Sequence, residues 1–397
     1  MWNGKLKKAW PVALLLALCS AHAVGAETGL EAIRTAAEQA HSDAVVIQRD
    51  GEVVAEWYFG EERGPIELMS VVKSVVAVGV GRLLELGIID SVDQPVHSVY
   101  PEWNQGRKKD ITIRHLLNHT SGLQDHRSAG VEIYPSPNAI RLALAAELSE
   151  DPGSAFRYNN KATNLLAGII HEASGQRMDQ FLVQELFRPL GIERYQWYYD
   201  ASGNPHAMAG LRLHAIDLAK IGQLVLDRGV WNGQRLIPEA YLDDMLAQGQ
   251  AHYLPCGLLW WRLPSETRYL YDRQRRAELE SAGVAEEDLR ALEPLLGQTF
   301  TTRPDRDRAL DDALGSDWRQ ILLERFQGTG IDPVFRREYG EIVGYYGDGY
   351  LGQTVLVIPS HGVVAVRQVR GDDDYDPEVD GFTDFKDLVL EWLESGE

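Results

Sequence analysis

Only two cysteines occur in this chain of 397 residues, Cys19 and Cys256. Cys19 falls in a leader-like segment, so the mature chain would keep a single thiol. Neither an internal disulfide nor a cysteine-based metal site can then form. Positive charge is also scarce: 39 Lys and Arg stand against 59 Asp and Glu, a net charge of −20. So acidic a surface repels phosphates and anionic lipid, and no nucleic-acid partner is expected. Long apolar runs are missing beyond the N-terminus. The run Trp10–Leu18 follows Lys5, Lys7 and Lys8 and is too short to span a bilayer. With Val24-Gly25-Ala26 as a small-residue cleavage site, residues 1–26 read as a signal peptide. The expectation is a periplasmic or secreted protein with no membrane insertion after cleavage. Without a disulfide, stability has to come from a core, and residues 27–397 are enough for one large domain or two interleaved ones.

What is present is ordered by region. Ala44–Gln48 and Glu52–Phe59 are β-rich runs around Asp50-Gly51, a strong hairpin signal. The apolar run after Ser70 predicts a helix to about Leu86, stopped by Gly87. Residues from about 90 to 250 read mainly as helix and loop. Helical patterns lie at Asn164–Ser174, Met178–Phe187, Leu211–Gly229 and Pro238–Ala247. Strand signals return at Gly257–Arg262, Ile342–Tyr346, Thr354–Ile358 and Val363–Val369, and Phe385–Leu393 reads as a closing amphipathic helix. One sheet built from both chain ends around an inserted helical region is the simplest packing. Residues from about 263 to 340 interrupt the C-terminal strands. They are rich in Arg and acids and read mainly as helix, with Ala277–Leu296 as an amphipathic stretch. The acidic run Asp372–Asp376 has Pro377 where a calcium loop of the EF-hand type needs Gly, so it reads as a solvated loop.

Ser70-Val71-Val72-Lys73 puts a hydroxyl and an amine three residues apart, at the start of the predicted helix. On a helix such positions share a face, about 5–6 Å apart between Cβ atoms. Apolar surroundings disfavour a charged ammonium, and a neutral amine accepts a hydroxyl proton. The pair therefore reads as a self-activated serine nucleophile. The four residues alone fit a plain helix start at least as well, with Ser70 as N-cap and Lys73 solvated. No Gly-x-Ser-x-Gly elbow surrounds Ser70, and His252 with Cys256 lacks a third metal ligand nearby.

Further motifs follow in order: Ile111–Leu123 with His115 and His119, Tyr158-Asn159-Asn160, Asn164–Gly168, Pro189-Leu190-Gly191, Gly210-Leu211, Asp217–Gly222, Gly257–Trp261 and Tyr345–Pro359. Together with Ser70 and Lys73 they resemble the serine β-lactamase and penicillin-binding-protein superfamily. The likeness is nearest to its class C β-lactamase-related branch of esterases, D-peptidases and 6-aminohexanoate-dimer hydrolases. It covers nearly the whole chain after the leader except the 263–340 insertion. The resemblance implies a β-lactamase/transpeptidase-like α/β (α+β) fold, with an antiparallel sheet from both chain ends flanked by helices. It also implies a serine hydrolase working through an acyl-enzyme, without cofactor or metal. Ser70 would be the nucleophile, with Lys73 and Tyr158 as its base and proton relay. Asn160 would hold the Lys73 amine and a substrate carbonyl, and the backbone N–H groups of Ser70 and Tyr350 would form the oxyanion hole.

The third family motif, typically Lys-Thr-Gly or His-Thr-Gly, is matched here by Gly347-Asp348-Gly349. The cation that binds a substrate carboxylate is missing from it. Asp348, Gly349 and Tyr350 become the substrate-binding candidates, and the expected substrate is a small neutral or cationic amide or ester rather than a penicillin-type β-lactam. An acylatable or inactive sensor of the same fold, or a β-lactamase or D-peptidase, is the alternative. His119 is expected to be structural, and Trp260 and Trp261 to be core.

Overall fold

Helix α1 (Val72–Glu85) is buried without a break from Val72 to Leu83. A helix that is apolar all round needs a full shell of neighbours. Helix α2 (Asn160–Ser174) and the helix Glu239–Leu246 supply part of it. Ser70 sits in one 3-10 turn, Met69–Val71, at the entrance of α1, and no side chain caps that turn. The plain N-cap reading of Ser70 therefore fails, and Lys73 is 3% exposed rather than solvated. The computed structural model describes residues 28–60, 63–126, 128–326, 332–371, 375–376 and 380–395. The expected leader and residues 372–374 of the acidic run lie outside the described residues.

The main sheet takes strands from both chain ends. They are β1 (Ala44–Arg49), β2 (Glu52–Tyr58), β3 (Trp261–Pro264), β4 (Ile342–Gly349), β5 (Gln353–Ile358) and β6 (Val363–Gln368), in the spatial order β2-β1-β6-β5-β4-β3. Strand β1 pairs antiparallel with β2 and with β6, and β5 pairs antiparallel with β6 and β4. Every residue of β5 and β6 is buried, as expected for central strands covered on both faces. Helix α3 (Ala215–Leu226) packs across β1, β5 and β6. Helix α4 (Phe385–Ser395) buries Phe385, Val389, Trp392 and Leu393. Among the described residues no helix is long and apolar enough to cross a membrane.

Two expectations change in ways that matter for Ser70. Leu211–Gly229 is not one helix. Leu211–Leu213 is a strand paired with Ile66–Glu67 and with Gln196–Trp197, and α3 starts after it at Ala215. This short pairing fixes the segment just before Ser70 against the segment just after Met208. At Gly257–Arg262 the strand begins only at Trp261. Leu259 is left-handed (φ 57), and the Gly257 N–H donates to the Trp260 carbonyl, so residues 257–260 form a tight turn instead.

Residues Leu263–Gly344 form a second compact unit. Its core holds Tyr271, Leu279, Leu289, Leu292 and Phe335. The segment is mainly helical, as expected, with one addition. Beside its helices it has a three-stranded sheet of Thr299–Phe300, Thr267–Leu270 and Arg336–Tyr339. Ala277–Leu296 is split into separate helices ending at Ser281 and starting at Glu286. The alternation of exposed Arg268 with buried Tyr269 is a strand pattern, masked in the sequence by the surrounding charge. Arg275 donates to the Asp332 and Val334 carbonyls and ties the first helix to the last strand's approach. Leu289 is fully buried in this core. Leu289→Ala is expected to cost about 2–5 kcal/mol of this unit's stability. Hydrogen exchange of amides in 286–325 reads that loss directly; unchanged protection would show that Leu289 does not hold the unit together.

Candidate active site

The nucleophile candidate has two proton-handling neighbours. Ser70 Oγ lies 2.9 Å from Lys73 Nζ and 2.9 Å from the Tyr158 hydroxyl, which donates to it. Lys73 Nζ also donates to the Met208 carbonyl at 2.8 Å, and it lies 5.0 Å from the Tyr158 ring centre. Met208 is held in turn by Asn164, a fully buried residue on α2. Its Oδ1 accepts the backbone N–H groups of Ala207 at 2.9 Å and Met208 at 3.3 Å. Tyr158 precedes α2, whose N-cap Asn159 accepts from the Ala162 N–H. Three separated parts of the chain thus meet at Ser70.

The aromatic ring of Tyr158 is braced by two other rings. The His119 ring lies 4.6 Å away, and Trp261 stacks at 6.3 Å with its plane 17° off parallel. His119 is 2% exposed, and its Nδ1 accepts the Asn159 N–H at 3.2 Å. Burial, and then the nearby Lys73 charge, depress its pKa to about 3, so the imidazole stays neutral. The only described thiol, Cys256, also lines the cavity. Burial pushes it up to about 12, which leaves it protonated and a poor nucleophile. The cavity itself is narrow, about 10 Å³, room for about one water. Among the described residues no group of three His, Cys, Asp or Glu side chains could hold a metal.

The end of β4 closes the other side. A Cβ built on Gly349 would stand 3.1 Å from the Ser70 backbone nitrogen and 2.7 Å from the Leu68 carbonyl. One on Gly347 would meet Ser74 Oγ at 2.6 Å. The two glycines let the strand pass against the Ser70 turn, and Tyr350 follows with its side chain 69% exposed. Four non-glycine residues with left-handed backbone lie in or next to the site: Met69 (φ 46), His119 (φ 60), Leu259 (φ 57) and Leu351 (φ 70). Strain of this kind persists where surrounding structure over-determines it.

The remaining predicted residues divide. Asp348 lines the cavity with Ser70, and it is already engaged: Thr354 Oγ1 donates to it at 3.1 Å, and Lys386 Nζ stands 3.6 Å away. Lys386, from α4, had no signal in the sequence beyond a charge on an amphipathic helix. Asn160 shows no hydrogen bond to the Lys73 amine, which was one part of the role expected of it. The Lys73 amine bonds Ser70 and Met208 instead, and Asn160 opens α2 with its backbone N–H donating to Asp125. Trp260 is core, as expected; Trp261 is a wall of the cavity, in contact with Phe156, Tyr158 and Tyr253. His115 completes a capping box with Thr112 and is structural.

Comparison with known proteins places the chain in a wider set. The family model described as Beta-lactamase matches residues 30–383. A 6-aminohexanoate-dimer hydrolase of Paenarthrobacter ureafaciens is 31% identical over 232 residues, which cover 53% of this chain and 59% of that protein. The chain spans between about a third and three fifths of the length of the curated relatives it matches. Among solved structures, the octameric penicillin-binding protein homologue from Pyrococcus abyssi superposes with a TM-score of 0.56 at 18% identity, over 92% of this chain and 77% of that one. The D-alanine carboxypeptidase AmpC from Burkholderia cenocepacia gives 0.55 at 18% identity, over 93% and 98%. Identities this low carry the fold alone.

The buried imidazole has a measurable signature. The folded-state pKa of His119, about 3, lies below its ordinary 6.5. Between those values the unfolded chain binds a proton that the folded chain refuses, so stability falls as pH drops from about 6.5 toward 3. His119→Asn should flatten that fall by one proton's worth, about 1.4 kcal/mol per pH unit. Urea unfolding of both proteins across pH 4.5–6.5 measures it, and equal slopes would mean that His119 titrates normally.

Proposed function

The chain belongs to the Beta-lactamase family, and from that premise we propose that it is a serine hydrolase cleaving an amide or ester bond through a Ser70 acyl-enzyme. The observation that carries the reading is the placement of Ser70 Oγ at 2.9 Å from both Lys73 Nζ and the Tyr158 hydroxyl. Ser70 Oγ attacks the substrate carbonyl, and its proton passes to the Lys73–Tyr158 pair, one member of which acts in its deprotonated form as the base. The developing oxyanion is received by the backbone N–H groups of Ser70 and Tyr350. The tetrahedral adduct collapses, the carbon–nitrogen or carbon–oxygen bond breaks, and Tyr158 returns a proton to the leaving group. Water then attacks the acyl-enzyme by the reverse relay and frees Ser70. Lys73, Tyr158 and the braces on them supply proton handling; the two N–H groups supply charge stabilisation. Asn160, at the first turn of α2, is left the contact to the substrate carbonyl. The protein acts after export and removal of residues 1–26.

The substrate is a small neutral or cationic amide or ester. Relatives of the family include proteins named as a dimer hydrolase of an amino acid and as an esterase, which supports both bond types. Asp348 beside the cavity disfavours a substrate carboxylate, and its ion pair with Lys386 softens that effect. A panel of p-nitrophenyl esters, linear ω-amino amides, D-aminoacyl amides and nitrocefin tests the class. Ser70→Ala is expected to abolish turnover and Lys73→Ala to come close, each by several orders of magnitude. Continued turnover by purified Ser70→Ala would end this mechanism, and a stoichiometric burst without turnover in the wild type would make the protein a sensor.

Charge selection gives a separate measurement. Lys386→Gln strips Asp348 of its partner and should deepen the preference for cationic over anionic matched esters several-fold, the scale of a half-exposed pair worth about 1 kcal/mol. Asp348→Asn should reverse the shift. The kcat/KM ratio of the two esters decides it, and a ratio that neither substitution moves would remove Asp348 from substrate selection.

A further inference from the structure

Arg367, on β6, is fully buried, and among the described residues no carboxylate forms an ion pair with it. Its five N–H donors are nevertheless all engaged. Nε donates to Ser42 Oγ at 2.9 Å. Nη1 donates to the carbonyls of Leu351 at 2.8 Å and Gly352 at 3.1 Å. Nη2 donates to those of Ala40 at 2.9 Å and Asp380 at 2.7 Å. A cation surrounded by neutral carbonyls is a costly way to fill a core, and burial lowers its pKa to about 10. What the arrangement secures is a turn. Leu351, next to Tyr350, is left-handed (φ 70, ψ 4), a conformation disfavoured for a side chain branched like leucine's. Gly352 (φ 82) is pressed so close that a Cβ there would lie 2.2 Å from Arg367 Nη1. The two carbonyls under the guanidinium belong to the residues that follow Tyr350, whose N–H the acyl-enzyme mechanism uses.

We propose that Arg367 is the positioning residue of the oxyanion hole, its guanidinium holding the 351–352 turn so that the Tyr350 N–H faces the substrate carbonyl oxygen above Ser70. The proposal rests on the acyl-enzyme reading. Ser42 and Ala40, from the turn before β1, and Asp380, near α4, hold the guanidinium from the far side. The clamp therefore reaches Tyr350 through the sheet rather than through the cavity, and no side chain of it touches substrate.

The test uses the full chain and a matched pair of esters, one with a C=O and one with a C=S acyl group. Sulfur accepts hydrogen bonds poorly, so a formed oxyanion hole favours the oxoester. Arg367→Lys is expected to lower kcat per burst-titrated serine on the oxoester about 10²-fold, the scale of one lost oxyanion donor. KM should change little, and the oxoester-to-thionoester ratio of kcat/KM should shrink about tenfold or more. Ser42→Ala, which removes one acceptor far from Ser70, should move the same ratio in the same direction by a few-fold, and it decides alone if Arg367→Lys does not fold. A lowered Tm with kcat per titrated serine and the ratio both unchanged would make Arg367 a structural strut and overturn the proposal. Absence of turnover in the wild type, matching Ser70→Ala, would instead bring down the hydrolase reading on which it stands.

Discussion

A buried amine must be given somewhere to put its hydrogen bonds, and most of the architecture around Ser70 follows from how Lys73 meets that demand. One bond goes to Ser70 Oγ and one to the Met208 carbonyl. The second is available because Asn164 grips the two preceding amides and because Leu211–Leu213 pairs with Ile66–Glu67 directly upstream of Ser70. Helix α1 can then be buried along its length, since the Lys73 amine is satisfied at its first turn and its other buried basic group, Arg82, pairs with Glu185 near its end. An unsatisfied ammonium at that depth would cost more than the packing around it returns.

The local features of this arrangement were legible and the long-range ones were not. The Ser70–Lys73 spacing, the Asp50-Gly51 hairpin and the Gly87 stop of α1 are all written within a few residues. Met208 was invisible because its contribution is a backbone carbonyl, which any residue type carries. Asn160 was assigned a bond to Lys73 for the same reason: nothing in the sequence shows that a carbonyl from a distant loop arrives first. Lys386 reaches Asp348 only because α4 folds back on the sheet, and its amphipathic pattern announces the buried face, not the charged contact. The strand of Leu211–Leu213 was absorbed into a helix because its apolar alternation is too short to separate from the helical period that follows. In the unit 263–344, dense charge hid the two-residue period of Thr267–Leu270.

The cavity also separates one reactive group from several inert ones. Cys256, His119 and Ser74 share it with Ser70. The thiol is held protonated, the imidazole is held neutral, and the Ser74 hydroxyl is committed to the Leu259 carbonyl at 2.7 Å. Each is therefore fixed as packing or bracing. Reactivity is confined by environment rather than by residue type, which is why a count of nucleophilic side chains near Ser70 would mislead.

The left-handed residues at Met69, His119, Leu259 and Leu351 have an evolutionary consequence. At each, glycine would relax the backbone, but at the buried His119, Leu259 and Leu351 it would also remove a packed side chain. At Met69 and Leu351 it would also loosen the turns that carry Ser70 and Tyr350. Relief of strain on one side, and retained packing and turn geometry on the other, therefore pull these positions in opposite directions. Variants that escape the conflict should arise far away, in the core of β5 and β6 or in the surface charges, where stability can rise without altering the turns.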